Sequence, residues 1–252
     1  NFYKFKFRGL PVFKNKLLQN IFLISFFIFN ITFLNAKEVV LVVGGSGLTG
    51  WETVKEAINN DYKVKATTTN LKKARNKYGE SNFKWVKVDV RILDDIRNSM
   101  EGVDYLISTI GGSCYDSGGP SSSRHIDYQG VVNLVGVAKD YGVKQIILTS
   151  SINAGIPEVK LNELCDNIYM WKWLGEDYLR DSGIKYTIVR PGGLGIGEGG
   201  KEYIKLADSR GHKTGSMQRS DLAKVLVGVI GNINSYGKTF EVVAQKNNKI
   251  QN

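Results

Sequence analysis

Val39-Val40-Leu41-Val42-Val43-Gly44-Gly45-Ser46-Gly47-Leu48-Thr49-Gly50 is the stretch on which the fold turns. Five consecutive aliphatic residues predict a short strand buried on both faces, as in a parallel sheet. Glycines at 44, 47 and 50 follow at once and open a helix-length stretch over about 48–59. In that setting Gly44 permits a tight turn and Gly47 lets a pyrophosphate approach backbone N–H groups. Gly50 lets the new helix press close on the sheet. A glycine string alone is a weak signal. With a strand before it and a helix after it, the string reads as a dinucleotide-binding turn.

The pattern repeats outward from there. Further strand-like runs fall at 62–68, 83–88, 103–108, 145–150 and 186–189, separated by helix-length stretches at 71–78, 92–100, 127–141 and 170–182. Each gap is long enough for the right-handed crossover that joins parallel strands. A final helix over 220–230 and a strand over 239–243 complete the expectation. The fold class is α/β: a doubly wound parallel sheet of about seven strands with helices on both faces. Two glycine-rich loops follow the fourth and sixth strands, at 111–124 and 192–200. Ligands in open α/β sheets bind outside the carboxyl ends of strands, so both read as substrate or lid loops.

The rest of the composition narrows the class. The chain has 252 residues, 42% of them hydrophobic and 23% charged, which excludes a disordered, collagen-like or disulfide-scaffold protein. Its two cysteines, Cys114 and Cys165, show no ligand spacing and are expected to be free thiols. His125 and His212 have no second ligand at metal spacing, so no metal site is expected. The net charge of +10 owes half its excess to Lys4, Lys6, Arg8, Lys14 and Lys16; the remaining charges are interspersed, and nucleic acid is not an expected partner.

Residues 1–36 form a separate segment. A basic start precedes the apolar run 21–34, whose fourteen residues would span only about 21 Å as a helix, short of the ~30 Å hydrocarbon core. The segment reads as a cleaved signal or targeting peptide, a retained membrane anchor, or a buried helix. Residues 37–252 then form the nucleotide-binding domain, with a small C-terminal substrate region.

The choice of dinucleotide rests on the second strand's end. An acid there would bind ribose hydroxyls, but Thr67-Thr68-Thr69-Asn70 precedes Leu71-Lys72-Lys73-Ala74-Arg75. Hydroxyls and cations favour a 2′-phosphate, so Thr69, Asn70 and Lys73 are candidate NADP contacts, with NAD kept as the alternative.

The ordered matches go further than the glycine turn. Val43–Gly50, Asp89-Val90, Asp127-Tyr128-Gln129-Gly130, Leu148-Thr149-Ser150-Ser151, Met170-Trp171-Lys172, Arg190-Pro191-Gly192-Gly193-Leu194 and Arg219-Ser220-Asp221 follow one another over about 38–245. In these the chain resembles the atypical short-chain dehydrogenase/reductases, within them the NmrA-like branch of plant chloroplast NAD(P)-binding proteins, with a Rossmann-like fold. The resemblance implies that Ser46, Gly47, Leu48 and Thr49 line the pyrophosphate and that Asp89 and Val90 meet the adenine. It places Thr109, Ile110 and Gly111 beside the nicotinamide-side ribose and Lys172 on that ribose. Ser150 or Ser151 would polarise a substrate carbonyl.

One departure bears on chemistry. The family's usual tyrosine lies four residues before its lysine, one helical turn away, and that position is Ile168. Tyr169, three residues before Lys172, shares the face in a rotated position and reads either as a substitute acid or as a packing aromatic. Arg219 and Asp221 are expected to pair and anchor the last helix. The resemblance implies an NADPH-dependent reductase of a small carbonyl, quinone or enone, or else a non-catalytic NADP-binding scaffold, assembly factor or redox sensor on a membrane complex. A nucleotide-sugar epimerase is a weaker third reading. A plastid or another membrane-bounded compartment, or a bacterial envelope, fits the signal-like start. Residues 1–36 would supply any membrane or membrane-complex association.

Overall fold

The computed structural model describes residues 37–211 and 214–245. Residues 1–36, expected from the sequence to be a signal, an anchor or a buried helix, lie outside the described residues, as does His212.

Strand β1 (Val39–Val43) leads through the glycine turn into α1 (Leu48–Asn59). Then come β2 (Lys63–Thr68), α2 (Leu71–Tyr78), β3 (Phe83–Lys87), α3 (Leu93–Met100) and β4 (Tyr105–Ser108). A π-helical turn (Arg124–Gly130) opens α4 (Val131–Asp140), which feeds β5 (Gln145–Thr149). The short α5 (Lys160–Leu164) precedes α6 (Ile168–Asp181) and β6 (Tyr186–Pro191). The chain ends in β7 (Gly193–Gly195), β8 (Tyr203–Asp208), β9 (Ser216–Gln218), α7 (Arg219–Gly228) and β10 (Lys238–Gln245).

The main sheet runs β3-β2-β1-β4-β5-β6-β10-β8, the doubly wound order extended at one edge. Alternation along β1 divides the core. Val40 and Val42 face a cluster with Val54 and Ala57 of α1, Ala74 of α2 and Leu222 of α7. Leu41 and Val43 face Ile96 of α3, Leu134 of α4 and Leu179 of α6 on the other side. Successive side chains of a strand point to opposite faces, so an unbroken aliphatic run requires helices on both.

Two features of the fold differ from the sequence expectation. The main sheet has eight strands, not about seven. The additional one, β8, pairs antiparallel with β10 at the edge, and Tyr203 and Leu206 on it are exposed. A half-exposed edge strand lacks the apolar run that marks buried ones. The cysteines are not free: Cys114 and Cys165 are disulfide-bonded across 51 residues. Tertiary proximity, not spacing, brings them together.

Candidate functional site

The glycine turn is built as its spacing requires. Gly44 has φ +81°, and a Cβ on Gly50 would lie 2.1 Å from the Gly44 carbonyl oxygen, so α1 starts hard against the turn. Gly44 N–H donates to Thr67 Oγ1 at 3.0 Å, and Ser46 N–H to the Thr67 carbonyl at 3.3 Å, tying the turn to β2. No side chain caps α1 at Gly47. Its first amides therefore open onto the carboxyl edge of the sheet with the positive end of the helix dipole behind them.

That edge holds a cleft of 510 Å³, within the range of small-molecule and cofactor sites. Gly44, Ser46, Gly47, Thr69, Asp89, Val90, Thr109, Ile110 and Gly111 all line it. The remaining candidates lie elsewhere. Leu48, Thr49 and Gly50 form the first turn of α1 and are not on the cleft wall. Asn70 and Lys73 lie in a separate shallow groove with Lys72 and Lys77. Asn70 Oδ1 accepts from Lys73 N–H at 2.9 Å, capping α2. The cation on the cleft wall is instead Arg91. It pairs with Asp89 and reaches the Pro120 carbonyl at 3.1 Å. The guanidinium holds the Asp89 carboxyl below its usual range. Position after β3, at the carboxyl edge, is the signal that would have singled out Arg91.

Lys172 and Asp127 form the second feature. Lys172 Nζ donates to Asp127 Oδ1 at 2.5 Å, and Asp127 Oδ2 accepts from Gly112 N–H at 2.9 Å. Asp127 is 3% exposed. It stands on the π-helical turn, an irregularity common at functional sites. The turn and α6 approach so closely that a Cβ on Gly175 would lie 2.4 Å from the Asp127 carbonyl oxygen. Lys172, Asp127, Thr149 and Ser150 enclose a 10 Å³ recess beside Ile110. Thr149 Oγ1 and Ser150 Oγ are buried there without a hydrogen-bond partner. Among the described residues Ser108 Oγ, Ser123 Oγ and Ser220 Oγ are likewise unpartnered, so what distinguishes the pair in the recess is that it lies beside Lys172.

Ser151 points to different surroundings from Ser150. With Tyr169, Asn153, Gly192, Gly193 and Gly215 it lines a 280 Å³ pocket, and its Oγ accepts from Asn153 N–H at 3.3 Å. Tyr169 and Lys172 therefore border different cavities. Behind both, Arg190 Nε and Nη2 bind Glu176 at 2.9 and 2.6 Å, and Arg190 Nη1 reaches Ser209 Oγ at 2.6 Å. This buried pair ties α6 to β6. Arg219 does not pair with Asp221: it donates to the Leu194 and Gly195 carbonyls, while Asp221 pairs with Lys224. His125 Nδ1 lies 3.0 Å from Ser122 Oγ and from the Gly119 carbonyl, holding the loop.

The uncapped helix start, the glycine cradle and the orphaned hydroxyls fit a dinucleotide. Comparison with known proteins agrees: an NAD(P)H-binding family matches residues 44–232. The pea (Pisum sativum) protein TIC 62, chloroplastic, is 33% identical over 179 residues, covering 62% of this chain and 33% of that protein. Sanguinarine reductase of Eschscholzia californica is 36% identical over 117 residues, 45% of this chain and 42% of the enzyme. The matched stretches thus span less than half of either relative. A solved oxidoreductase from Lactococcus lactis superposes with TM-score 0.70 at 25% identity, over 82% of this chain and 91% of that one.

Proposed function

This chain belongs to the NAD(P)H-binding family, in its atypical short-chain dehydrogenase/reductase branch, and from that premise we propose that it is an NADPH-dependent reductase of a small carbonyl, quinone or enone. The observation that carries the reading is the Lys172–Asp127 pair beside two unpartnered hydroxyls, in a recess that shares Ile110 with the cleft.

The residues divide the work as follows. The first-turn amides of α1, with Ser46 and Gly47, hold the pyrophosphate, and Asp89 and Val90 flank the adenine. Arg91 and Thr69 face the 2′-phosphate. Lys172 hydrogen-bonds the nicotinamide-side ribose, and Asp127 fixes where its ammonium points. When bound, the nicotinamide supplies the hydride. Ser150 Oγ, lacking a protein partner, donates to the substrate oxygen as negative charge develops on it. Tyr169, which borders the neighbouring pocket with Ser151, is one proton donor for the reaction, and water is the other. The pea relative's name carries the word chloroplastic, which supports a plastid location.

Ile168 at the usual tyrosine position favours a second reading, a nucleotide-binding scaffold or sensor without turnover. Titration with NADPH and NADH, read by energy transfer from the tryptophans, tests both. The reductase reading expects NADPH to bind at least tenfold tighter, about 1.4 kcal/mol, and to be oxidised when a carbonyl or quinone is added. Binding without oxidation favours the scaffold; no binding of either nucleotide sinks the cofactor reading.

A further inference from the structure

We propose that the Cys114–Cys165 disulfide is a thiol–disulfide exchange site, through which a protein or small-molecule dithiol releases the loop that walls the nucleotide cleft. The inference rests on the cleft being the nucleotide site. Cys114 sits in the serine- and glycine-rich loop after β4, and Gly111–Ser113 on one side of it and Pro120-Ser121 on the other line the cleft. Cys165 sits three residues before α6, the helix that carries Tyr169 and Lys172. One covalent bond therefore joins the cleft wall to the start of the helix bearing the candidate ribose lysine.

The bond acts where the core does not. Neither core cluster takes a residue from 111–125 or from 149–178. The elements between the cysteines, α4 and β5, are held by their own buried side chains, so the cross-link's ordering falls on the two segments it joins. The two segments also meet through a 3.4 Å contact from Gly118 N–H to Asp166 Oδ2, through the Arg124 guanidinium 5.8 Å over the Trp171 ring, and through Asp127, which binds both Gly112 N–H and Lys172. Directly after Cys165, Asp166 and Asn167 have φ of +50° and +58°, the left-handed region that Asp and Asn enter more readily than other side-chain-bearing residues, which turns the chain into α6. Loss of the disulfide thus frees the loop and lets the first turn of α6 move.

The exchange balances simply. Cys165 is 4% exposed and Cys114 is partly exposed, so the incoming thiolate attacks Cys114 Sγ. A mixed disulfide forms and Cys165 leaves as a thiolate that takes a proton. The second thiol of the reductant then closes on the first and expels Cys114. Two electrons and two protons pass to the chain, and the dithiol becomes a disulfide.

The test uses the full chain, oxidised or reduced with dithiothreitol, with free thiols counted. Two quantities are read in each state: NADPH affinity, and the rate of chymotryptic cleavage after Tyr115, which is fully exposed within the loop. Reduction is expected to speed cleavage and weaken NADPH binding at least tenfold each, both reversed by reoxidation. Cys114→Ser should match the reduced wild type and ignore dithiothreitol. Equal cleavage and equal affinity in the two states overturn the proposal, as does faster cleavage with unchanged affinity. If the oxidised chain binds no NADPH, the cofactor reading has failed, and loop protection alone then decides the exchange site.

Discussion

Lys172 and Asp127 are separated by 45 residues in the sequence and by 2.5 Å at Nζ and Oδ1. The side chain proposed to meet a nicotinamide ribose thus arrives with a buried counter-charge. Removing one member of such a pair leaves the other buried and uncompensated. Lys172→Met should lower kcat/KM with NADPH by about 100-fold, in the range of a lost acid–base or orienting group. Asp127→Asn keeps the shape and the acceptor but not the charge. It should raise the KM for NADPH more than it lowers kcat, a split that steady-state kinetics reads directly.

Arg91, not Lys73, is expected to set the preference for a 2′-phosphate. Arg91 lines the cleft, whereas Lys73 lies in the groove beyond α2. Arg91→Ala should reduce the NADPH-over-NADH preference about tenfold, some 1.4 kcal/mol, and Lys73→Ala should leave it unchanged. Paired titrations of the two variants give the answer; equal losses would move the phosphate onto α2.

Gly50→Ala tests the turn. The added methyl would meet the Gly44 carbonyl oxygen at 2.1 Å, backbone against backbone. The helix must shift, costing about 1–3 kcal/mol as overpacking does, and urea denaturation should show that loss together with weaker NADPH binding.

Glu176 and Arg190 are 0% and 2% exposed and bound through two contacts. Glu176 also pairs with Arg180, so Arg190→Met leaves the carboxylate one partner and should destabilise the fold by less than the about 3–5 kcal/mol of a fully stranded buried charge. Adding Glu176→Gln should recover part of it, because the buried group that has lost one of its two arginine partners is then neutral. A denaturation series on the three variants checks the sign of that recovery.

Tyr105 predicts an alkaline limit. Burial, and then the hydrogen bond from its hydroxyl to Glu38, push its pKa up to about 12. The folded value lies above the unfolded one of about 10, so the contribution is complete below the unfolded value. It is lost as pH rises toward the folded value. Lys144, held up by Asp104 and then Glu38, acts in the same direction. Stability should therefore fall between about pH 10 and 12, and Tyr105→Phe should flatten that fall in denaturation measured against pH.

The sequence by itself determined the strand–turn–helix alternation, because aliphatic runs and glycine positions act over a few residues and leave little choice. It also determined that Gly44, Ser46, Gly47 and Asp89 would reach one edge, since parallel strands bring their carboxyl ends together. What the chain could not reveal locally was left to the tertiary structure. Asp127 meets Lys172, and Cys114 meets Cys165, across separations of 45 and 51 residues. β8 became a strand only because β10 offered it an edge. Arg91 lines the cleft while Lys73 lies in a separate groove on α2, a division that adjacency in sequence does not reveal. Periodicity fixes what each segment becomes; which distant side chains touch depends on how layers stack, and that is settled by packing across the whole sheet.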